Sequence, residues 1–183
     1  MSIDNVKNKI PDYAKDIKLN RSSLAGEEVL NPQQMWGAFL ASALASRNET
    51  VIAEIVGEAA QHLSSEAQNA AKAANGVMAM NNIYYKFISM MKSPDYAGMP
   101  PKLRMNVIAN PGVEKADFEL WALAVSVING CPGCVKSHEK SLRDLGVSQE
   151  QVQTVIRIAA VVHAAASVIG GETVLSGRQA AAA

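Results

Sequence analysis

The sequence predicts an all-α protein. Three observations carry that prediction: a composition rich in small and flexible apolar residues, apolar positions spaced at helical intervals, and turn signals where helices should stop. Of the 183 residues, 49% are hydrophobic and only 5% aromatic, so alanine, valine, isoleucine, leucine and eight methionines must fill the core. Such side chains favour closely approaching helices over sheets. The length suits one domain, residues 1–183, with a core of useful size.

Along the chain, residues 3–19 place Ile3, Val6, Ile10, Tyr13, Ala14 and Ile17 on one helical stripe. Residues 33–46 are rich in alanine and leucine, and 49–62 present Val51, Ile52, Ile55, Val56 and Ala59. Residues 65–92 form a long methionine-studded stretch ending near Pro94. Segments 114–128, 132–145 and 149–169 complete a set of seven to nine expected helices. Asn129-Gly130 should end one helix, and Gly146 stands where a left-handed C-terminal cap belongs. Ser148 followed by Gln151 is a capping-box pattern for the last long helix. Only "LRMNVIANPG" (103–112) could pass for a strand, and it is too short and isolated to make a sheet. The final residues 177–183, "GRQAAAA", read as a frayed tail.

The loop at 93–112, with Pro94, Pro100, Pro101 and Pro111, separates a first half (1–92) from a second (113–170). Shifting the chain by 84 lays Ser42 on Ser126, Ser64 on Ser148, Glu66 on Glu150 and Val77 on Val161. An internal duplication of two similar helical halves would explain this. Cys131, Cys134 and His138 then fall on Arg47, Thr50 and Glu54, leaving chemistry to the second half alone.

Seventeen basic and seventeen acidic residues give a formal net charge of zero, which offers no footprint for nucleic acid or an anionic membrane. The charged N-terminus has no apolar core of a secretory signal. The longest nearly apolar run, Ile158 to Gly171, contains His163 and falls short of the ~20 residues that span a bilayer. The expectation is a soluble, cytoplasmic protein. In that reducing compartment a lone pair of cysteines points to chemistry or metal rather than to a structural staple.

That pair stands in "NGCPGCVKSHEK" (129–140). Pro132 suits a first helical position, which makes Cys131 the N-cap. Cys134 lies one turn in and His138 one turn further, on the same face. The two sulfurs can approach closely enough to bond, and the helix N-terminus favours thiolate on both. His138, four residues after Cys134, can take its proton. Glu119, in "FELW" among Phe118, Leu120 and Trp121, is the candidate for the group that orients His138.

Other readings remain beside this one. Zinc could be held by two thiols and a histidine, although structural sites want four ligands and no second CxxC or HxxxH appears. The cysteines could be an inert core pair. A c-type haem site is excluded because Val135, not histidine, follows Cys134. A thioredoxin-like site lacks its βαβ context. His163, in "AAVVHAAAS", reads as a hydrogen-bonded core residue, His62 as lying near a helix end, and the methionines from Met78 to Met91 as core filler.

"PDYAKDIKLN", "LRMNVIANPG", "FELW" and the cysteine–histidine motif, in this order, resemble the alkylhydroperoxidase D proteins, from residue 2 to about residue 170. Their wider superfamily includes carboxymuconolactone decarboxylase-like proteins, many without the cysteine pair. The resemblance implies an all-helical fold with an internal repeat, commonly a homotrimer. It implies an antioxidant peroxidase that reduces alkyl hydroperoxides and hydrogen peroxide through the dithiol. Such proteins also reduce oxidised alkyl hydroperoxide reductase C, a peroxiredoxin. No bound cofactor or metal is implied. Electrons come from dihydrolipoamide on a lipoylated 2-oxoacid dehydrogenase subunit, recharged by dihydrolipoamide dehydrogenase.

Carried onto this chain, Cys134 becomes the attacking thiolate and site of the sulfenic acid. Cys131 becomes the proton donor and resolving thiol, forms the Cys131–Cys134 disulfide, and makes the mixed disulfide with the partner. His138 and Glu119 become a proton relay. Gly133 stands where close relatives carry a histidine, so the relay here is shorter or completed by water. The alternatives kept open are a thiol–disulfide oxidoreductase with little peroxidase activity, and a zinc- or redox-sensing adaptor.

Overall fold

The computed structural model describes residues 9–181. Among them are nine α-helices, one short 3₁₀ turn (Asp12–Ala14) and no strand. The helices are α1 (Lys15–Ala25), α2 (Pro32–Ser46), α3 (Glu49–Ala59), α4 (Ser65–Met91), α5 (Pro94–Ala97), α6 (Asn106–Ala109), α7 (Lys115–Ile128), α8 (Pro132–Asp144) and α9 (Gln149–Ala181). The all-α prediction holds, and the stretch that might have been a strand contributes only the single turn of α6. Ile3 and Val6 of the first predicted stripe lie outside the described residues.

Local chemistry explains most boundaries. Asn31 and Gln34 form a capping box at the start of α2, while Asn48 and Ser64 side chains cap α3 and α4. The box at Ser148 and Gln151 opens α9 as predicted: Gln151 N–H donates to Ser148 Oγ (3.1 Å) and Ser148 N–H to Gln151 Oε1 (3.0 Å). At the end of α8, Gly146 takes φ 80°, and Gly146 N–H and Val147 N–H return to the Arg143 and Leu142 carbonyls. That is a Schellman turn, and a glycine accepts its left-handed geometry without strain. The last helix runs on to Ala181, through much of the stretch read as a frayed tail.

The core forms where α2 and α7 cross, with α4 and α9 packed against both. The shift of 84 acquires a structural meaning here. It carries α2, α3 and α4 onto α7, α8 and α9 in order, and it exchanges their packing partners: α2 lies against α9 as α7 lies against α4. Residues related by the shift meet at the centre. Gln33 Nε2 donates to Asp117 Oδ2 (2.7 Å), and Gly37 lies directly under the Trp121 indole. Two large residues could not share that point, so a glycine faces the tryptophan.

Two expectations need correction. His163 is exposed rather than core, with Nδ1 3.3 Å from Ser46 Oγ, because it falls on the outer face of α9. Gln149–Gly177 is also long and apolar enough to cross a membrane, against the expectation from the shorter run Ile158 to Gly171. The shorter measure stopped at charged and polar residues that a helix this long tolerates. One stripe of α9 (Val155, Ile158, Val162, Ala165, Ile169) is buried in the core, which accounts for much of that apolarity.

Candidate active site

The site begins with a turn shared by two helices. Gly130, at φ 64°, closes α7: its N–H donates to the Val127 carbonyl (3.0 Å), and Cys131 N–H donates to the Ser126 carbonyl (3.1 Å). Cys131 then serves as N-cap of α8, its Sγ accepting Cys134 N–H at 3.4 Å, with Pro132 at the first helical position. One residue therefore ends a Schellman turn and opens the next helix, which leaves its sulfur little freedom. From α4, Lys86 Nζ donates to the Asn129 carbonyl. Asn129 Nδ2 donates to Asn82 Oδ1 (3.0 Å), and Asn82 Nδ2 to Ser126 Oγ (3.0 Å). This network pins the turn to the core.

Cys131 and Cys134 are joined as a disulfide, with Cα atoms 5.4 Å apart. Cys131 is fully buried; Cys134 lies on the wall of a cavity of about 510 Å³. Apolar side chains from α4 and the α6 region, among them Met78, Ile88, Met105 and Ile108, form much of that wall. Its polar groups include Asn81, Tyr85, Ser89 and Ser137. A Cβ at Gly133 would stand 3.1 Å from Ser89 Oγ, so that position sits tightly against α4. Among the described residues no group of three or more His, Cys, Asp or Glu side chains is placed to hold a metal ion.

The structure brings His138 and Glu119 together: Nδ1 lies 2.6 Å from Glu119 Oε2, and both residues are buried. Lys115, four residues before Glu119 on α7, approaches Oε1 at 3.1 Å and also donates to the Ile108 carbonyl. Burial pushes the Glu119 carboxyl up. Hydrogen bonding and charge from His138, and then from Lys115, outweigh that and hold it below its ordinary range. An ionised Glu119 accepts a hydrogen bond from Nδ1–H, which in the neutral ring leaves Nε2 as the basic nitrogen.

The structure does not bring His138 to Cys134 in the same way. No hydrogen bond joins them in this oxidised form among the described residues, and Nε2 lies 3.1 Å from Met78 Sδ. Four residues that build the site are not marked by the sequence reading: Lys115, Met78, Lys86 and Asn82. Lys115 was open to discovery through its i, i+4 spacing to Glu119. Met78 reads as filler in the sequence, and nothing local marks it, because His138 is 60 residues away. Lys86 and Asn82 likewise reach the site only through the packing of α4 on α7.

Comparison with known proteins gives a consistent picture. Residues 94–175 match the carboxymuconolactone decarboxylase family. Over 181 residues the chain is 58% identical to the alkyl hydroperoxide reductase AhpD of Gluconacetobacter diazotrophicus, covering 99% of each chain. It is 56% identical over 173 residues to the protein of that name from Maricaulis maris, covering 94% of this chain and 100% of the other. For the Rhodospirillum centenum AhpD the identity is 50% over 178 residues, with 97% and 96% covered.

Proposed function

We infer the function from one premise: the chain belongs to the alkyl hydroperoxide reductase AhpD family. It is an antioxidant dithiol peroxidase, acting on alkyl hydroperoxides and hydrogen peroxide. The observation that carries this reading is the position of Cys134. It opens on a cavity beside a buried His138–Glu119 pair, with its disulfide partner Cys131 sealed behind it.

In the reduced protein His138 Nε2 takes the Cys134 thiol proton, directly or through water, and Glu119 stabilises the imidazolium. The Cys134 thiolate attacks one peroxide oxygen. The O–O bond breaks, Cys134 becomes a sulfenic acid, and the departing alkoxide leaves as an alcohol with a proton supplied by Cys131. Cys131 then attacks the Cys134 sulfur. The hydroxide leaves as water with the proton held on the His138 imidazolium, and the Cys131–Cys134 disulfide forms, the state seen here. Two electrons from an external dithiol restore both thiols by exchange.

Dihydrolipoamide, carried by a lipoylated 2-oxoacid dehydrogenase subunit and recharged by dihydrolipoamide dehydrogenase, is the proposed dithiol. Oxidised alkyl hydroperoxide reductase C is the proposed protein partner. A mixed disulfide through Cys131 requires the Gly130–Pro132 segment to open, since Cys131 is fully buried. The family resemblance supports a homotrimer.

The test is peroxide loss on mixing the reduced protein with dihydrolipoamide and an alkyl hydroperoxide, beside Cys131→Ser and Cys134→Ser variants. Turnover in the parent that vanishes in both variants is expected. Disulfide exchange by the parent without peroxide loss would overturn the peroxidase reading.

A further inference from the structure

We propose that Lys115 is a positioning residue of this site: it holds Glu119 as a carboxylate and thereby fixes His138 with its proton on Nδ1 and its lone pair on Nε2. The inference rests on the dithiol-peroxidase reading for its consequence, but its geometry stands apart from it.

The two oxygens of Glu119 are divided between two partners: Oε2 faces His138 Nδ1 at 2.6 Å and Oε1 faces Lys115 Nζ at 3.1 Å. Glu119 is 3% exposed, so each contact acts in a poorly solvated setting. The ammonium is located by acceptors on two elements, the Glu119 carboxylate on α7 and the Ile108 carbonyl on α6. Helix energetics do not explain a lysine here. Lys115 is the first residue of α7, where the helix dipole disfavours a cation. Its value must lie in those contacts.

The other groups near Glu119 cannot replace it. From α8 the carboxylate meets His138, with Cys134 on the same cavity wall. From α4 the titratable side chain on the cavity is Tyr85, a phenol with no cationic form, and Lys86 is turned to the Asn129 carbonyl. The α6 region offers a carbonyl, and α2 and α9 place no charged group on this cavity. Without Lys115, burial is opposed by His138 alone, and the carboxyl protonates at higher pH. A protonated Glu119 donates its O–H to Nδ1. One proton has then entered from solvent onto the carboxyl, and the ring proton resides on Nε2. An Nε2–H cannot accept the thiol proton.

The experiment is imidazole ¹⁵N NMR on the reduced full-length chain, labelled at histidine, across a pH series, with His138→Ala to assign the signal. Parent and Lys115→Arg should show the Nδ1–H tautomer, because arginine can still reach both oxygens. Lys115→Met and Lys115→Gln should lose Nδ1–H as pH falls and show the neutral Nε2–H tautomer, distinct from an imidazolium, which carries both protons. The acid limb of peroxide reduction should move to higher pH in both, and return with arginine. A mere loosening of α6 would change KM without altering the tautomer. Folded Lys115→Met and Lys115→Gln proteins that keep the Nδ1–H signature throughout would overturn the proposal. The NMR readout is independent of turnover, so an inactive parent would count against the peroxidase reading while leaving this one to be decided.

Discussion

Gly37 and Trp121 meet where the two halves cross, which makes Gly37→Ala a sharp test of the packing that carries the site. A Cβ built on Gly37 would lie 2.1–2.4 Å from three indole atoms of Trp121. That is far inside van der Waals contact. The indole is fully buried, and its Nε1–H is committed to the Gln34 carbonyl at 3.1 Å, so it cannot swing aside cheaply. Overpacking of a dense core costs about 1–3 kcal/mol and occasionally more, and this site belongs at the upper end. Against that, alanine is favoured over glycine in a helix interior by about 1 kcal/mol. The balance is a destabilisation of about 2 kcal/mol, or a fall of roughly 4–8 °C in Tm for a chain of this size. Urea melts of parent, Gly37→Ala, Trp121→Phe and the double variant would measure it. Phenylalanine lacks the ring atoms that clash, so the alanine should cost less in that background. A Gly37→Ala protein as stable as the parent would refute the reasoning, since helix propensity would then have outweighed a contact that cannot relax.

Two further outcomes follow from single contacts. Because the Glu119 carboxyl is held below its ordinary range, its contribution to stability is full above the unfolded-state value and is lost as pH falls through the folded one. Glu119→Gln should therefore be about 1–3 kcal/mol less stable than the parent at neutral pH, with the gap closing in acid; urea melts at several pH values would show whether the curves converge. Ser148→Ala removes the hydroxyl that caps Gln151 N–H at the start of α9 and should cost about 1 kcal/mol, readable in the same melts.

What could be read from the sequence was mostly what local chemistry determines. Cys131 as a cap, Gly146 in a left-handed turn and the Ser148–Gln151 box each depend on residues within one helical turn. The meeting of Glu119 and His138 was inferable because a carboxylate among Phe118, Leu120 and Trp121 needs a partner, and the next helix offers one. Lys115 is legible only through its i, i+4 spacing to Glu119. Met78, Asn82 and Lys86 were out of reach, since they enter the site through the packing of α4 across the α7–α8 turn, which no short-range pattern encodes. His163 lies on the outside against expectation because an alanine-rich helix gives little periodic contrast, so its outer face resembles its inner one.

The central claim is that Cys134 meets the peroxide and Cys131 resolves it, and a single-turnover measurement addresses it most directly. Reduced protein, freed of reductant, would be mixed with one equivalent of an alkyl hydroperoxide while peroxide and free thiols are counted, with Cys131→Ser carried alongside and a sulfenic-acid trap followed by mass spectrometry. The account predicts one peroxide consumed and two thiols lost per parent chain, and a trapped sulfenic acid on Cys134 in the Cys131→Ser protein. Peroxide left intact by the parent, or a Cys131→Ser protein that consumes no peroxide and shows no trapped adduct on Cys134, would contradict it.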